Sequence, residues 1–96
     1  MEDILKIKQF KEILDIIAFT FKEEISGIQL SENYTETTKI DIAFKEQFDF
    51  VSRFTEVHSI INKYMPENFV LRYINSDFEM RLITAEWEPD YEKYEK

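Results

Sequence analysis

The chain has 96 residues, with 20 acidic side chains against 12 Lys and Arg, which gives a formal net charge of −8. The absence of cysteine excludes disulfides, thiol catalysis and cysteine metal sites, and a single glycine excludes a glycine-rich phosphate loop. No apolar run is long enough for a membrane span and no leader pattern opens the chain, so the sequence predicts one cytoplasmic domain over residues 1–96.

The first predicted element is an amphipathic helix over residues 3–26. Apolar residues recur there at spacings of three and four, which places them on one stripe: Ile7, Phe10, Leu14, Ile17 and Phe21. Gly27 follows at the position where a left-handed residue often ends a helix. Glu23 and Glu24 would then lie in the last turn, where negative charge opposes the helix dipole. This locally unfavourable choice points either to a function for the two carboxylates or to ordinary solvated acids at a helix end.

A hairpin is predicted over residues 28–44, because apolar and polar residues alternate on both sides of a polar, turn-like segment. A second amphipathic helix follows over residues 49–65 and ends before Pro66. The lone His58 lies on its apolar stripe. That position is typical of a half-buried core histidine rather than a catalytic base, since no Cys and no Ser–Asp partnership accompanies it.

A second hairpin is predicted over residues 69–85, with its turn at residues 75–77. Asp77 and Glu79 could share one face of a strand as a weak metal-like pair, but a cap on the turn explains Asp77 more simply. The sequence therefore predicts an α+β fold of order α-β-β-α-β-β. In this fold two helices pack on one face of a four-stranded antiparallel sheet, and a short acidic tail follows at residues 86–96.

The two halves of the chain carry a weak internal similarity. A shift of 44 positions aligns apolar and acidic residues of the two helices, including Phe10 with Phe54 and Ile17 with Ile61. Duplication of one unit would produce this match, and so would the chance similarity of two amphipathic helices.

The outer face of the predicted sheet is expected to carry apolar residues beside charged ones. Val70, Ile74 and Ile83 are placed there, next to Arg72, Glu79 and Arg81. Such a face is either an ordinary mixed surface or the interface of a homodimer.

The carboxylates are unevenly distributed. Residues 23–49 carry seven acids against two lysines, and residues 86–96 carry five acids against two lysines. In the second stretch the rings of Trp87, Tyr91 and Tyr94 either dock on the protein's own core or act as interface anchors. The residues expected to contact a partner are Glu23, Glu24, Glu32, Glu36, Asp41, Glu86, Trp87, Glu88, Asp90 and Tyr91.

An acidic surface of this kind favours a basic protein as the partner and disfavours direct nucleic-acid binding, which needs basic patches. The leading interpretation is a small protein-binding module without catalytic, metal or cofactor site. It would mask a basic surface of its partner, such as a nucleic-acid-binding one, as an inhibitor, an immunity protein or antitoxin, or a phage-type protein does. The alternative is a homo-oligomeric structural or adaptor subunit, whose charge only keeps it soluble.

Overall fold

The computed structural model describes residues 2–32, 37–45 and 50–90, with the side chains from residue 8 onward. Six elements follow one another: helix α1 (Glu2–Thr20), strand β1 (Ile25–Glu32), strand β2 (Thr38–Phe44), helix α2 (Phe50–Lys63), strand β3 (Phe69–Asp77) and strand β4 (Leu82–Pro89). Their order and the single antiparallel sheet confirm the predicted α+β fold.

The sheet has the strand order β1-β2-β4-β3. The second strands of the two hairpins, β2 and β4, therefore pair at its centre, and β1 and β3 form its edges. Across the central pair Ile40 is opposite Ala85, and Ile42 is opposite Ile83. Because directly opposed residues point to the same side of an antiparallel sheet, these four form the middle of its apolar face.

Both helices pack on this apolar face. Their core side chains are at most 3% exposed: Phe10, Ile13 and Ile17 of α1, Phe21 just after it, and Phe50, Val57 and Ile61 of α2. Full burial of one such side chain contributes roughly 1.5–3 kcal/mol relative to exposure. The predicted helical stripes thus hold the layers together. Within the described residues, neither helix has the length and apolar character needed to cross a membrane.

Helix α1 ends at Thr20, earlier than the predicted residue 26. The Thr20 hydroxyl donates a hydrogen bond to the carbonyl of Ile16 at 2.7 Å, and residues 21–24 form a turn. In that turn the Ile25 N–H donates to the Phe21 carbonyl at 3.0 Å. The chain leaves the helix here because Ile25 already pairs with Phe44 in the sheet.

The predicted helix-ending role of Gly27 is therefore wrong. Gly27 lies inside β1, beside a register shift between Ile25 and Gly27, and no glycine has a positive φ. Glu23 and Glu24 lie in the turn and not in the last turn of a helix. The dipole argument for their function does not apply to them.

The second hairpin also differs from its prediction. Its turn occupies residues 78–81 instead of 75–77, and β4 continues to Pro89, so residues 86–89 of the predicted tail belong to the sheet. Asp77 pairs with Leu82 across the turn, and Arg81 has a left-handed φ of 54°. A left-handed arginine thus takes the place that Gly or Asn usually fills in such a turn. The rest of the predicted tail, residues 91–96, lies outside the described residues.

The two halves share their architecture but not their side-chain register. Strands β1 and β3 begin at residues 25 and 69, and β2 and β4 begin at residues 38 and 82, an offset of 44 in both cases. Yet Ile40 of β2 faces the core, whereas Thr84, 44 positions later, lies on the opposite side of the sheet. The two halves therefore share the order and spacing of their elements. Side chains of β4 point to the opposite face of the sheet from those 44 positions earlier in β2.

Candidate functional site

The residues predicted to bind a partner do not form one surface. Glu23 and Glu24 lie where β1 begins, whereas Glu32 and Asp90 lie at the opposite end of the sheet. Asp41, Glu86 and Glu88 lie on the sheet face away from the helices, called the outer face. Glu36 and Tyr91 lie outside the described residues. A single acidic patch built from these residues is therefore not what the fold presents.

Trp87 is a core residue. It is 0% exposed, and its ring packs edge-to-face on Phe10 with the ring centroids 5.1 Å apart. A partner could contact this ring only after the helices had separated from the sheet. The expectation that Trp87 is an interface anchor is therefore corrected in favour of its alternative, docking on the protein's own core.

Glu24 is engaged inside the molecule. Its Oε1 lies 2.8 Å from Nη2 of Arg53 and accepts a hydrogen bond from Nε of the same residue at 2.9 Å. Arg53 also contacts Glu56 at 2.9 Å, so one guanidinium links the turn after α1 to α2. Glu23, in contrast, is exposed. Of these two neighbouring acids, Glu24 has a structural role.

Two rows of polar residues cross the outer face from edge to edge. The first row is Gln29, Asp41, Thr84 and Asn75, and the second is Ser31, Lys39, Glu86 and Tyr73. Thr84 donates a hydrogen bond to Oδ1 of Asp41 at 2.9 Å, and Arg72 pairs with Glu86 at 3.0 Å. Asp41 and Glu86 therefore already have partners within the sheet.

The apolar outer face predicted for a homodimer is not formed. Ile83 is fully buried, and Ile74 packs against the core. A register shift between Leu71 and Tyr73 turns Ile74 inward, because one extra residue in a strand turns every later side chain to the other face. Ile83 lies in β4 on the same face as the buried Ala85 and Trp87. Of the three apolar residues predicted there, only Val70 lies on the outer face.

The turn between β3 and β4 exposes two large apolar side chains. Phe78 is 55% and Met80 is 66% exposed, and the exposed Glu79 lies between them. We call residues 77–81 the hairpin tip. Scattered exposed apolar residues are normal, but a Phe and a Met within one tight turn are not its usual composition.

The hairpin tip is held in a defined shape. Asp77 accepts the N–H of Met80 at 3.2 Å, as predicted for a turn cap, and the Arg81 N–H donates to the Phe78 carbonyl at 3.3 Å. The Arg81 carbonyl accepts the N–H of Phe44 at 2.9 Å, which ties the turn to β2. The tip is thus a hydrogen-bonded turn with a left-handed arginine.

Phe78 is the outermost ring of an aromatic series that begins in the core. Phe21, Phe44, Phe50 and Phe78 follow one another with centroid distances of 5.8, 6.0 and 6.0 Å, each pair edge-to-face. Edge-to-face pairs contribute roughly 0.5–1.5 kcal/mol beyond their buried area. One side of Phe78 is therefore supported by the core, while the rest of its ring faces outward.

The one histidine has a place in the packing of α2, and metal-binding groups are not found among the described residues. Among them, no group of three or more His, Asp or Glu residues could hold a metal ion. His58 is half-buried, lies 2.9 Å from Asn62 through Nδ1, and packs near Phe54 with ring centroids 6.3 Å apart. This is the structural role that its place on the helical stripe predicts.

Sequence reasoning missed the hairpin tip. It placed the turn at residues 75–77, so Phe78 was assigned to a strand, where an aromatic residue is ordinary. Residues 78–81 contain neither Gly nor Asn, so their composition does not indicate a turn. That Arg81 adopts a left-handed conformation follows only from the register of β3 and β4.

No known protein family, curated protein or solved structure matches this chain. Among the exposed apolar side chains of the described residues, Phe78 and Met80 lie together in one hydrogen-bonded turn and remain available for contact.

Proposed function

We propose that the chain is a cytoplasmic, non-catalytic protein-binding module and that it contacts its partner through the hairpin tip. The observation that carries this proposal is the joint exposure of Phe78 and Met80 in one ordered turn. Covering apolar surface of this kind contributes roughly 25 cal/mol per Å². Aromatic residues, Met and Arg are also the types enriched at protein interfaces, and all three occur in the tip.

The fixed conformation of the tip, like its composition, supports a role in binding. A Phe ring that is already held against Phe50 loses little conformational freedom when a partner covers it. Arg81 has a backbone conformation that costs an L-residue roughly 1–2 kcal/mol. Backbone strain of this kind is more often found at functional sites than elsewhere in a fold.

A module of this design acts by covering a surface of another protein. Inhibitors, immunity proteins and antitoxins, and phage-type proteins that block a host enzyme work in this way. The outer face is a weaker basis for the alternative, a homo-oligomeric or adaptor subunit, because Ile74 and Ile83 are turned into the core.

Site-specific photo-cross-linking tests the proposal. A photoreactive phenylalanine analogue is placed at position 78 and, as a matched control, at position 19, whose Phe is 74% exposed on α1. The protein is then irradiated in cells that express it naturally. We expect one protein to cross-link at position 78 and not at position 19. The same products at both positions, or products at position 19 alone, would contradict a binding role for the tip.

A further inference from the structure

We infer that the partner surface is an apolar pocket with Lys or Arg at its rim, and this inference rests on the proposed protein-binding function. The hairpin tip is the turn of a hairpin, and its exposed apolar residues, Phe78 and Met80, lie within three consecutive positions. Two exposed apolar side chains in one turn gain most contact from a concave apolar surface, because packing at interface cores is as dense as in protein interiors.

Glu79 decides the charge of that surface. It lies between Phe78 and Met80 and is exposed, so a partner that covers both apolar side chains also takes water away from the carboxylate. Burying a charge without a counter-charge costs several kcal/mol, on the order of the gain from the apolar contact itself. A cation at the rim of the pocket removes this cost.

The charges next to the tip are consistent with a basic rim. Asp77 adds a second carboxylate beside Phe78, and its hydrogen bond to the Met80 N–H leaves the negative charge in place. Arg81 is the one cation within residues 77–81 and is half-buried. The two carboxylates and one guanidinium give the tip a net charge of −1, of the same sign as the net charge of −8 of the whole chain.

Other occupants fit the tip less well. Phosphates of a nucleic acid or of an anionic lipid surface would be repelled by Asp77 and Glu79. A second copy of the chain would have to offer its own apolar pocket with a basic rim. The outer face of the sheet does not provide one, because polar rows cross it from edge to edge. The cavity beside Phe19 on α1 does not have a basic rim either, because Glu12 and Asp15 line it together with Lys8 and Lys11.

Two amphipathic peptides with opposite charge test the chemistry. One is composed of Leu and Lys, the other of Leu and Glu, and each is titrated into the full chain while backbone amide resonances are followed by NMR. We expect the Leu–Lys peptide to shift the resonances of residues 77–82, and the Leu–Glu peptide to leave them unchanged. Raising the salt concentration should weaken the Leu–Lys complex, because salt screens exposed charges.

Variants identify the contributing side chains. Glu79→Lys should weaken binding of the Leu–Lys peptide by about tenfold, and Phe78→Ser with Met80→Ser should abolish it. The matched controls Glu23→Lys and Phe19→Ser alter an exposed acid and an exposed Phe outside the tip, and both should bind like the unchanged chain. An unchanged amide spectrum outside the substituted region shows that each variant is folded.

The possible outcomes distinguish failure of the inferred basic pocket from failure of the proposed protein-binding function. Equal shifts by both peptides would overturn the basic rim but leave the tip as a binding surface. Shifts confined to residues outside 77–82 would overturn the inferred pocket. The proposed protein-binding function would then be tested separately by photo-cross-linking at position 78. Concentration-dependent light scattering that responds to Phe78→Ser would identify a second copy as the occupant and overturn the inference as well.

Discussion

Arg72 and Glu86 form an ion pair across strands β3 and β4, with Nη1 of the arginine 3.0 Å from Oε2 of the glutamate. The Glu86 side chain is 8% exposed and that of Arg72 is 46% exposed. The register shift between Leu71 and Tyr73 places Arg72 where it can reach both Glu86 and, at 3.9 Å, Glu88. A bulge in an edge strand thus supplies the counter-charge for a buried carboxylate.

Replacing Arg72 should therefore destabilise the fold. Arg72→Met removes the guanidinium and leaves a charge on a mostly buried side chain, so we expect a loss of about 1–3 kcal/mol in the free energy of unfolding. Urea denaturation at neutral pH measures this. In the double variant with Glu86→Gln the loss should be smaller than the sum of the single losses. Strict additivity would show that the two side chains do not interact.

Phe10 should be among the most sensitive positions of the core. Its ring contacts both Trp87, at 5.1 Å, and Phe69, at 5.2 Å, so Phe10→Ala creates a cavity and should cost about 3–5 kcal/mol. The exposed Phe19 is the matched control, and Phe19→Ala should change stability by less than about 0.5 kcal/mol. Denaturation followed by the fluorescence of Trp87, the single tryptophan, reports both values. Similar losses at the two positions would contradict the assigned core.

Thr38→Val should stabilise the protein. Thr38 is buried opposite Trp87, and its hydroxyl has no hydrogen-bond partner among the described residues. An unsatisfied buried polar group costs about 1–3 kcal/mol, and Val has nearly the same shape without the hydroxyl. We expect the midpoint of urea denaturation to rise. A fall in the midpoint would show that the hydroxyl is hydrogen-bonded in solution.

Glu24 and Glu23 should differ in their effect on stability although they are neighbours. Glu24→Gln weakens the contacts with Arg53 at 2.8 and 2.9 Å, and because both side chains are partly exposed the expected loss is about 0.5–1 kcal/mol. Glu23→Gln, at an exposed position, should stay within about 0.5 kcal/mol of the unchanged chain. Thermal unfolding in low salt compares the two. Equal effects would argue against the ion pair with Arg53.

Arg81→Gly should relieve strain in the hairpin tip. The left-handed φ of 54° destabilises the folded state by roughly 1–2 kcal/mol for an arginine but not for a glycine. Glycine in turn loses more backbone entropy on folding, which costs about 0.5–1 kcal/mol. We expect a net gain of up to about 1 kcal/mol by urea denaturation. Asn68→Gly, at a φ of 68°, is the control and should gain less, because asparagine tolerates this region. A loss at position 81 would mean that the arginine side chain stabilises the turn.

Much of the architecture could be predicted from local patterns. Spacings of three and four placed Phe10, Ile17 and Ile61 on core-facing stripes, and all three are buried. Alternation of apolar and polar residues predicted both hairpins and hence the order of six elements. These features follow from the sequence because the period of apolar residues depends only on how a helix or a strand projects its own side chains.

Element ends, register and the candidate site were decided by the tertiary structure. The turn at residues 78–81 and the inward position of Ile74 depend on which residue of β3 pairs with which residue of β4. The total charge can be read from the sequence, but the pairing of Glu24 with Arg53, 29 positions away, cannot. Pairings between distant segments depend on how the layers pack. A local pattern therefore carries no information about which carboxylates are neutralised, or about which turn presents Phe78 and Met80 to solvent.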